Sequence, residues 1–439
     1  MSRWARPKAS AVSASVADTA SLNAVPAVPD RRVAVRPTAA GLAAVRRGDP
    51  WLFDGSITSA QPDDLPPGAI AIVFDDRRRV AGVGLWDPTS PIRVRMLHAG
   101  GACEIGPAFF VDRLRAALSR RDSLVGATDT TAWRWAHGEN DALPALVVDR
   151  YNDTVVVKIY SAAWLPHLPS LVHTIGEVAP FGVSRVVLRT ARGVRAAADA
   201  AGLGDGVTVM GEAPVAPVGF LERGLRLEAD VVRGHKTGHF LDQRDNRALV
   251  RSMSAGRHVL DVFSATGGFS LAAAAGGATS VTMVDQSRPA LDTARANIAL
   301  NTGLGEVAAC EVSDLCGDAF DILERLAADG RTWDVVVLDP PSFAPNAASR
   351  PRALRAYRRL AAAGLAITAP GGMLVQASCS ARVDVDELAG CVQSAARSVG
   401  RRAREIRRTG HPVDHPIGFD RGAYLKALYV SVAASGTKN

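Results

Sequence analysis

The sequence predicts an α/β protein in three parts. Residues 33–100 are expected to form a small N-terminal β-barrel and 101–232 a small α/β middle domain. Residues 233–432 are expected to form a parallel sheet with helices on both faces, and 1–32 and 433–439 to be tails. Three observations carry this. A chain of 439 residues is too long for one ordinary domain. Hydrophobic residues at 47% are enough to build packed cores. From about residue 255 the pattern alternates strand, loop and helix, which is the pattern of a doubly wound sheet.

The elements follow in order. The first thirty residues, rich in Ala, Ser, Val and Pro, lack the compact apolar core of a signal peptide. They read as a disordered tail rather than an organelle transit peptide. "AIAIVFDD", "RRVAGVGLWD" and "PIRVRML" are short alternating strands split by charged turns. "GPAFFVDRLRAALSRRDSL" has apolar residues three and four apart and turns helical. "ALVVDRY", "TVVVKIY" and "SRVVLRT" are strands, with a helix at "LPSLVHTIGEVA". Then come "HVLDVF", "FSLAAAA", "SVTMVD", "RPALDTARANIALN", "WDVVVLD" and "LRAYRRLAAAGLAI" in strand–helix alternation.

The net charge of +7 suggests a polyanionic partner, with nucleic acid ahead of a membrane surface. The five cysteines form no CxxC pair, which excludes a zinc ribbon or a disulfide framework. A reducing, cytoplasmic setting, with no metal, is expected. Apolar runs are far too short for a membrane span.

Four loops carry chemistry. In "VLDVFSATGGFS", Asp261 lies within an apolar strand, and Ser264, Ala265, Thr266, Gly267 and Gly268 form the turn before a helix. Small residues there let a ligand approach the backbone and the helix N-terminus. The pattern is not GxGxxG, which weakens a nicotinamide reading. Asp285 ends the second strand, where a carboxylate can take ribose hydroxyls. Asp318 and Phe320 precede a helix and could meet an adenine, although a plain N-cap is an equally good reading of Asp318. "LDPPSF" takes a buried strand into Asp339, Pro340, Pro341, Ser342 and Phe343. The two prolines stiffen a rim that can grip a planar base by its edge, with Phe343 over its face.

The segments "LDVFSATGGFS", "VDQS", "LDPPSF" and "ASCSARVD", in this order, resemble the loops of class I S-adenosylmethionine-dependent RNA methyltransferases. "GHKTGHFLDQRDNR" is more specific. It resembles the 23S rRNA (cytosine-C5) methyltransferases that open with a PUA domain. "GDPWLFDGSI", "HGENDALPALVVDRY" and "GHPVDHPIGFDRGAYLKAL" extend the resemblance over about 33–432. It implies a PUA-like RNA-binding barrel, an α/β middle domain and a Rossmann-like catalytic domain. It also implies S-adenosyl-L-methionine as cofactor and ribosomal RNA as partner, with a homodimer left open.

On this resemblance the cofactor site comprises Asp261, Phe263, Ser264, Thr266, Gly267, Gly268, Asp285, Gln286, Asp318, Ala319 and Asp339. The base slot comprises Lys236, Phe240, Pro340, Pro341, Ser342 and Phe343, and Cys379 and Asp339 are catalytic. The chain departs from the family at Ala142 and Ala145, where glycine is usual, at Ala265, where an aromatic is common, and at His235, in place of a frequent Gln. Ser342 stands where a related group has a second cysteine used in product release.

Cys379 follows an apolar strand in "MLVQASCSARVD". Carbon 5 of cytosine is a poor nucleophile, and a thiolate on carbon 6 turns the ring into an enamine that can take a methyl group. Asp339 could hold the ring nitrogen. Two rivals remain: an exocyclic-amine methyltransferase using the DPPSF loop, and an RNA-binding ribosome-assembly factor without turnover.

Overall fold

The computed structural model describes residues 20–344 and 346–433. The chain divides into two compact units. The first holds the described residues up to Val125, Thr131–Phe220 and Glu228–His239. The second holds Gly126–Thr130, Leu221–Leu227 and the residues from Phe240 onward. Of the two expected tails, residues 1–19 and 434–439 lie outside the described residues. Residues 20–32 depart from the expected tail. A short 3-10 helix spans Leu22–Ala24, the Ala20 N–H donates to the Thr208 carbonyl (2.9 Å), and Leu22, Val25 and Val28 pack on the core. Their spaced apolar side chains have a surface to cover, which composition alone does not reveal.

The first unit contains two sheets. One has strands β1 (Val33–Pro37), β2 (Trp51–Phe53), β3 (Ile57–Gln61), β4 (Ile70–Phe74), β5 (Val80–Trp86) and β6 (Ile92–Ala99). Its order is β2-β6-β5-β4-β1-β3, antiparallel except for β1 and β4. The other has β7 (Ala132–His137), β8 (Leu146–Tyr151), β9 (Thr154–Ile159), β10 (Arg185–Thr190) and β11 (Thr208–Met210), ordered β11-β10-β9-β8-β7. The helix Leu168–Val178 connects the parallel pair β9 and β10. Ile70, Val83, Leu85 and Leu97 of the first sheet share one apolar cluster with Trp133, Trp135 and Trp164 of the second region. The Trp51 indole donates to Glu139 (2.9 Å), and Ser161 donates to Asp87 (2.6 Å). The two regions of this unit are therefore packed through a common core, not strung on a linker.

Ala142 and Ala145, at the two positions where the resemblance implies glycine, have φ of 56° and 66°. An L-residue in this left-handed region is strained by roughly 1–2 kcal/mol. Ala142→Gly is therefore expected to stabilise the protein by about 1 kcal/mol, since the strain relieved exceeds the extra entropy glycine loses. Chemical denaturation checks this, and an unchanged or lowered midpoint would remove the strain.

A two-stranded ladder, β12 (Val218–Glu222) and β13 (Leu225–Ala229), precedes the second sheet. That sheet comprises β14 (His258–Val262), β15 (Ser280–Asp285), β16 (Glu311–Cys316), β17 (Trp333–Leu338), β18 (Thr368–Ser378), β19 (Ala403–Thr409) and β20 (Lys426–Val432). The order is β16-β15-β14-β17-β18-β20-β19. The first five strands are parallel, and β20 runs antiparallel between β18 and β19. The strand order reverses between β14 and β17. In such sheets ligands bind at the carboxyl ends of the strands beside that switch.

Candidate active site

Four loops leave the carboxyl ends of β14, β15, β17 and β18. The first turn is pinned by its neighbour: the N–H groups of Phe263 and Ser264 both donate to the Val284 carbonyl (2.8 and 3.0 Å). Phe263, Ala265 and Gly267 all have positive φ (64°, 45° and 77°). A side chain on Gly267 would meet the Ala294 Cβ at 2.6 Å, so glycine is needed there for packing as well as conformation. Gly268 begins the helix Gly268–Ala275, and the Thr266 carbonyl accepts from Asn297 (3.0 Å).

The Asp285 carboxylate is half-buried and braces this turn. One oxygen accepts from the Ala265 N–H and the other from the Ser287 N–H, both at 2.9 Å. Each oxygen keeps a lone pair for a ligand hydroxyl. Asp261 lies beneath the turn. It is fully buried, and one oxygen takes both the Ser270 N–H (3.0 Å) and the Ser270 hydroxyl (2.6 Å). It ties β14 to the helix behind the turn. Burial pushes its carboxyl up to about 6, against the pull of the Ser270 hydrogen bonds. Its Oδ1 and the buried Ser264 Oγ have no hydrogen-bond partner in the protein. Orphaned acceptors at a small-residue turn suit a ligand that brings amino and hydroxyl donors.

Asp318 is the N-cap of the helix Ala319–Ala328, accepting from the N–H groups of Phe320 (2.8 Å) and Asp321 (3.3 Å). Ala319 is buried, the Gln286 side chain is exposed, and Phe320 lies under the Arg359 guanidinium at 4.5 Å.

The third loop carries Asp339, whose N–H donates to the Val262 carbonyl (3.3 Å) and joins the ends of β17 and β14. Its Oδ1 accepts from Gln243 Nε2 (2.9 Å). Gln243 in turn accepts from Asn246 (2.6 Å), and the Asn246 oxygen accepts from Thr409 (2.6 Å) and Tyr429 (3.1 Å). Pro340 is buried, Pro341 and Ser342 are exposed, and Phe343 packs on Tyr357 at 4.9 Å. Cys379 is half-buried at the end of β18. The preceding Ser378 hydroxyl donates to the Tyr357 hydroxyl (2.8 Å). Burial pushes the Tyr357 phenol up to about 12, and the charges of Cys379 and Asp339 add to this. The two catalytic candidates thus flank one buried tyrosine.

Two base-slot candidates divide between the units. Lys236 belongs to the first, where it is exposed with φ 55° and its carbonyl accepts from Lys158 (3.0 Å). The adjoining Thr237 is buried, donating to Asp149 (2.6 Å). Phe240 opens the second unit, its carbonyl accepting from Arg247 (3.0 Å). Gln243, Asn246, Tyr357 and Lys426 are site residues that loop motifs did not single out. Gln243 and Asn246 lie in "LDQRDN", Tyr357 in "LRAYRRL" and Lys426 in "AYLKAL", stretches that carry no strand-end pattern. Among the described residues no cluster suits a metal ion, and no helix is long and apolar enough to cross a membrane.

Asp285→Ala is expected to weaken S-adenosylmethionine binding at least about tenfold, about 1.4 kcal/mol, by loss of a charged acceptor. Calorimetry giving an unchanged affinity would take Asp285 out of the site.

Comparison with known proteins agrees with this geometry. Residues 204–430 match the family model for S-adenosylmethionine-dependent methyltransferases, and residues 35–99 match a PUA-like domain. A ribosomal RNA large subunit methyltransferase of Deinococcus radiodurans is 43% identical over 93% of this chain and 99% of its own. Ribosomal RNA large subunit methyltransferase I of Shewanella amazonensis is 36% identical over 88% of this chain and 96% of its own. In fold, the chain is similar to a SAM-dependent methyltransferase from Streptococcus mutans, with a TM-score of 0.75 at 20% identity over 91% of this chain and 99% of that one. A methyltransferase solved in complex with SAH overlays with the same TM-score, 0.75.

Proposed function

Since the chain belongs to the S-adenosylmethionine-dependent methyltransferases and carries a PUA-like domain, we propose that it forms 5-methylcytosine in large-subunit rRNA through a covalent bond to Cys379. The observation that carries the reading is the convergence of Cys379, Asp339 and Tyr357 at the ends of β17 and β18. The relatives' names supply the rRNA class.

S-adenosylmethionine, when bound, supplies an electrophilic methyl group. The Cys379 thiolate adds to carbon 6 of the cytosine, and the carbon 5–carbon 6 π pair moves to carbon 5. Asp339, protonated and held by Gln243, gives its proton to ring nitrogen 3 as addition builds charge there, and takes it back when the thiolate leaves. Carbon 5 takes the methyl group. A base then removes the carbon-5 proton, the double bond re-forms, and the thiolate is expelled. Ser342 in place of a second cysteine leaves that expulsion to another group. Ser264, Asp261 and Asp285 would hold the cofactor's polar groups, the first two through their unpartnered oxygens.

RNA contact falls to exposed arginines. Arg77 and Arg78 lie at an exposed turn, and Arg352, Arg355 and Arg358 are exposed on the helix Arg350–Ile367. Other basic residues of the same stretches are engaged within the protein: Arg79 with Asp75, Arg93 with Asp54, Arg95 with Asp87 and Arg359 with Glu324.

The test is trapping. A fluorine at carbon 5 cannot leave as a proton. Substrate rRNA carrying 5-fluorocytidine is expected to give a protein–RNA adduct that survives denaturing gels when S-adenosylmethionine is present. Methylation without any adduct would point to the exocyclic amine, and cofactor binding with no methyl transfer would point to an assembly factor.

A further inference from the structure

A thiol ordinarily ionises near pH 8.5, so a cysteine nucleophile needs a local source of positive charge. Tyr357, which accepts from the neighbouring Ser378, is neutral and supplies none. The cation comes from β20. Lys426 opens that strand and pairs across the ladder with Ser378, the residue before Cys379. It is 8% exposed, a burial that lysine rarely adopts without partners. Its ammonium donates to the carbonyls of Ser380 and Val383. These two residues close the turn that follows Cys379, through the Val383 N–H to the Ser380 carbonyl at 3.4 Å.

An ammonium has three N–H groups. Two serve those carbonyls, leaving one. Cys379 is the foremost of the acidic groups that act on Lys426, ahead of Asp384 and Glu387. Those two carboxylates are already committed. Together they form the capping box at the start of the helix Val385–Ser398, and Glu387 also pairs with Arg350.

We propose that Lys426 is a positioning residue for the Cys379 thiolate. It fixes the 379–383 turn through two carbonyls, and its charge keeps the sulfur ionised at neutral pH. This rests on the reading of Cys379 as the nucleophile. The carbonyl oxygens on Nζ favour the charged lysine, while burial pushes it down to about 8. The thiolate and the ammonium therefore support each other, and each weakens when the other loses its charge. The titratable groups facing the pair are Asp384 and Glu387 from the following helix, His411 from the segment before β20, and Asp339 and Tyr357 beside the sulfur.

The test follows Cys379 alkylation by iodoacetamide in the full-length protein, read by peptide mass spectrometry from about pH 6 to pH 9, with a cysteine peptide in the same tube. The wild-type Cys379 midpoint is expected at least about one unit below that of the peptide. In Lys426→Met the midpoint should rise by about one unit, slowing the reaction at neutral pH about tenfold, and Lys426→Arg should recover most of it. A lysine that served only as a structural clamp would change stability or the plateau rate and leave the midpoint in place, which would overturn the proposal. So would a wild-type midpoint equal to that of the peptide, a result that needs no variant to fold. The nucleophile reading fails separately. Its failure is a wild-type protein that methylates rRNA yet forms no adduct with 5-fluorocytidine RNA, whatever the alkylation profile.

Discussion

Cys379→Ser is expected to retain S-adenosylmethionine affinity and to lose methyl transfer by roughly a thousandfold or more, as removal of a nucleophile does elsewhere. The substitution is nearly isosteric, and the residue is half-buried at a strand end, so the fold has little to lose. A serine hydroxyl is far less ionised than a thiol at any pH the protein tolerates, and no cation beside it makes up that difference. The variant should also give no adduct with 5-fluorocytidine RNA. Turnover on rRNA close to that of the wild type would leave Cys379 as a packing residue and move the chemistry to the Asp339–Phe343 loop.

Arg244→Met is the second large effect. Arg244 and Asp414 form a bidentate pair at 3.0 and 2.8 Å, with side chains 2% and 0% exposed. His415 lies 3.2 Å from the same carboxylate. Burial works to raise Asp414, but His415 and Arg244 together hold its carboxyl well below the usual range. Removing the arginine leaves a buried charge without its bidentate partner, which costs about 3–5 kcal/mol. A depressed carboxylate contributes its stability above the unfolded value near 4 and loses it as the pH falls through the folded value. The difference between wild type and variant should therefore be full at neutral pH and narrow in acid, where a protonated Asp414 no longer needs the guanidinium. Denaturation curves at both pH values measure this. A loss under about 1 kcal/mol at neutral pH would show that solvent or His415 replaces the arginine.

The sequence shows the centre of each sheet better than its margins. β14 and β17 are apolar runs because both faces are covered, and such runs stand out. β16 and β19 are edge strands, largely polar, and neither shows a two-residue alternation strong enough to mark a strand. The site divides along the same line. Asp285, Asp339 and Cys379 sit at ends of apolar strands, so position along the chain announces them. Gln243 and Lys426 reach the same place from other elements, and only the folded ladder brings them there. Asp261 shows the converse. It ends up as a brace beneath the turn because Ser270, nine residues on, closes over it. The alanines at 142 and 145 were legible as departures, but the strain they carry is a property of φ and not of spelling.

The placement of β20 between β18 and β19 also sets an order of events. Among the parallel strands β14 and β15 pair across a short stretch of chain, whereas β14 and β17 lie about seventy-five residues apart (Val259 with Val335). β20 must wait until the chain returns about fifty residues later to enter beside β18 (Ser378 with Lys426). Closing such a loop adds an entropic delay to the search for the native pairing. The turn that carries Cys379 is anchored in part by that pairing, through Lys426. During refolding, helical signal is therefore expected to return before methyl transfer, which needs the β18–β20 pairing in place.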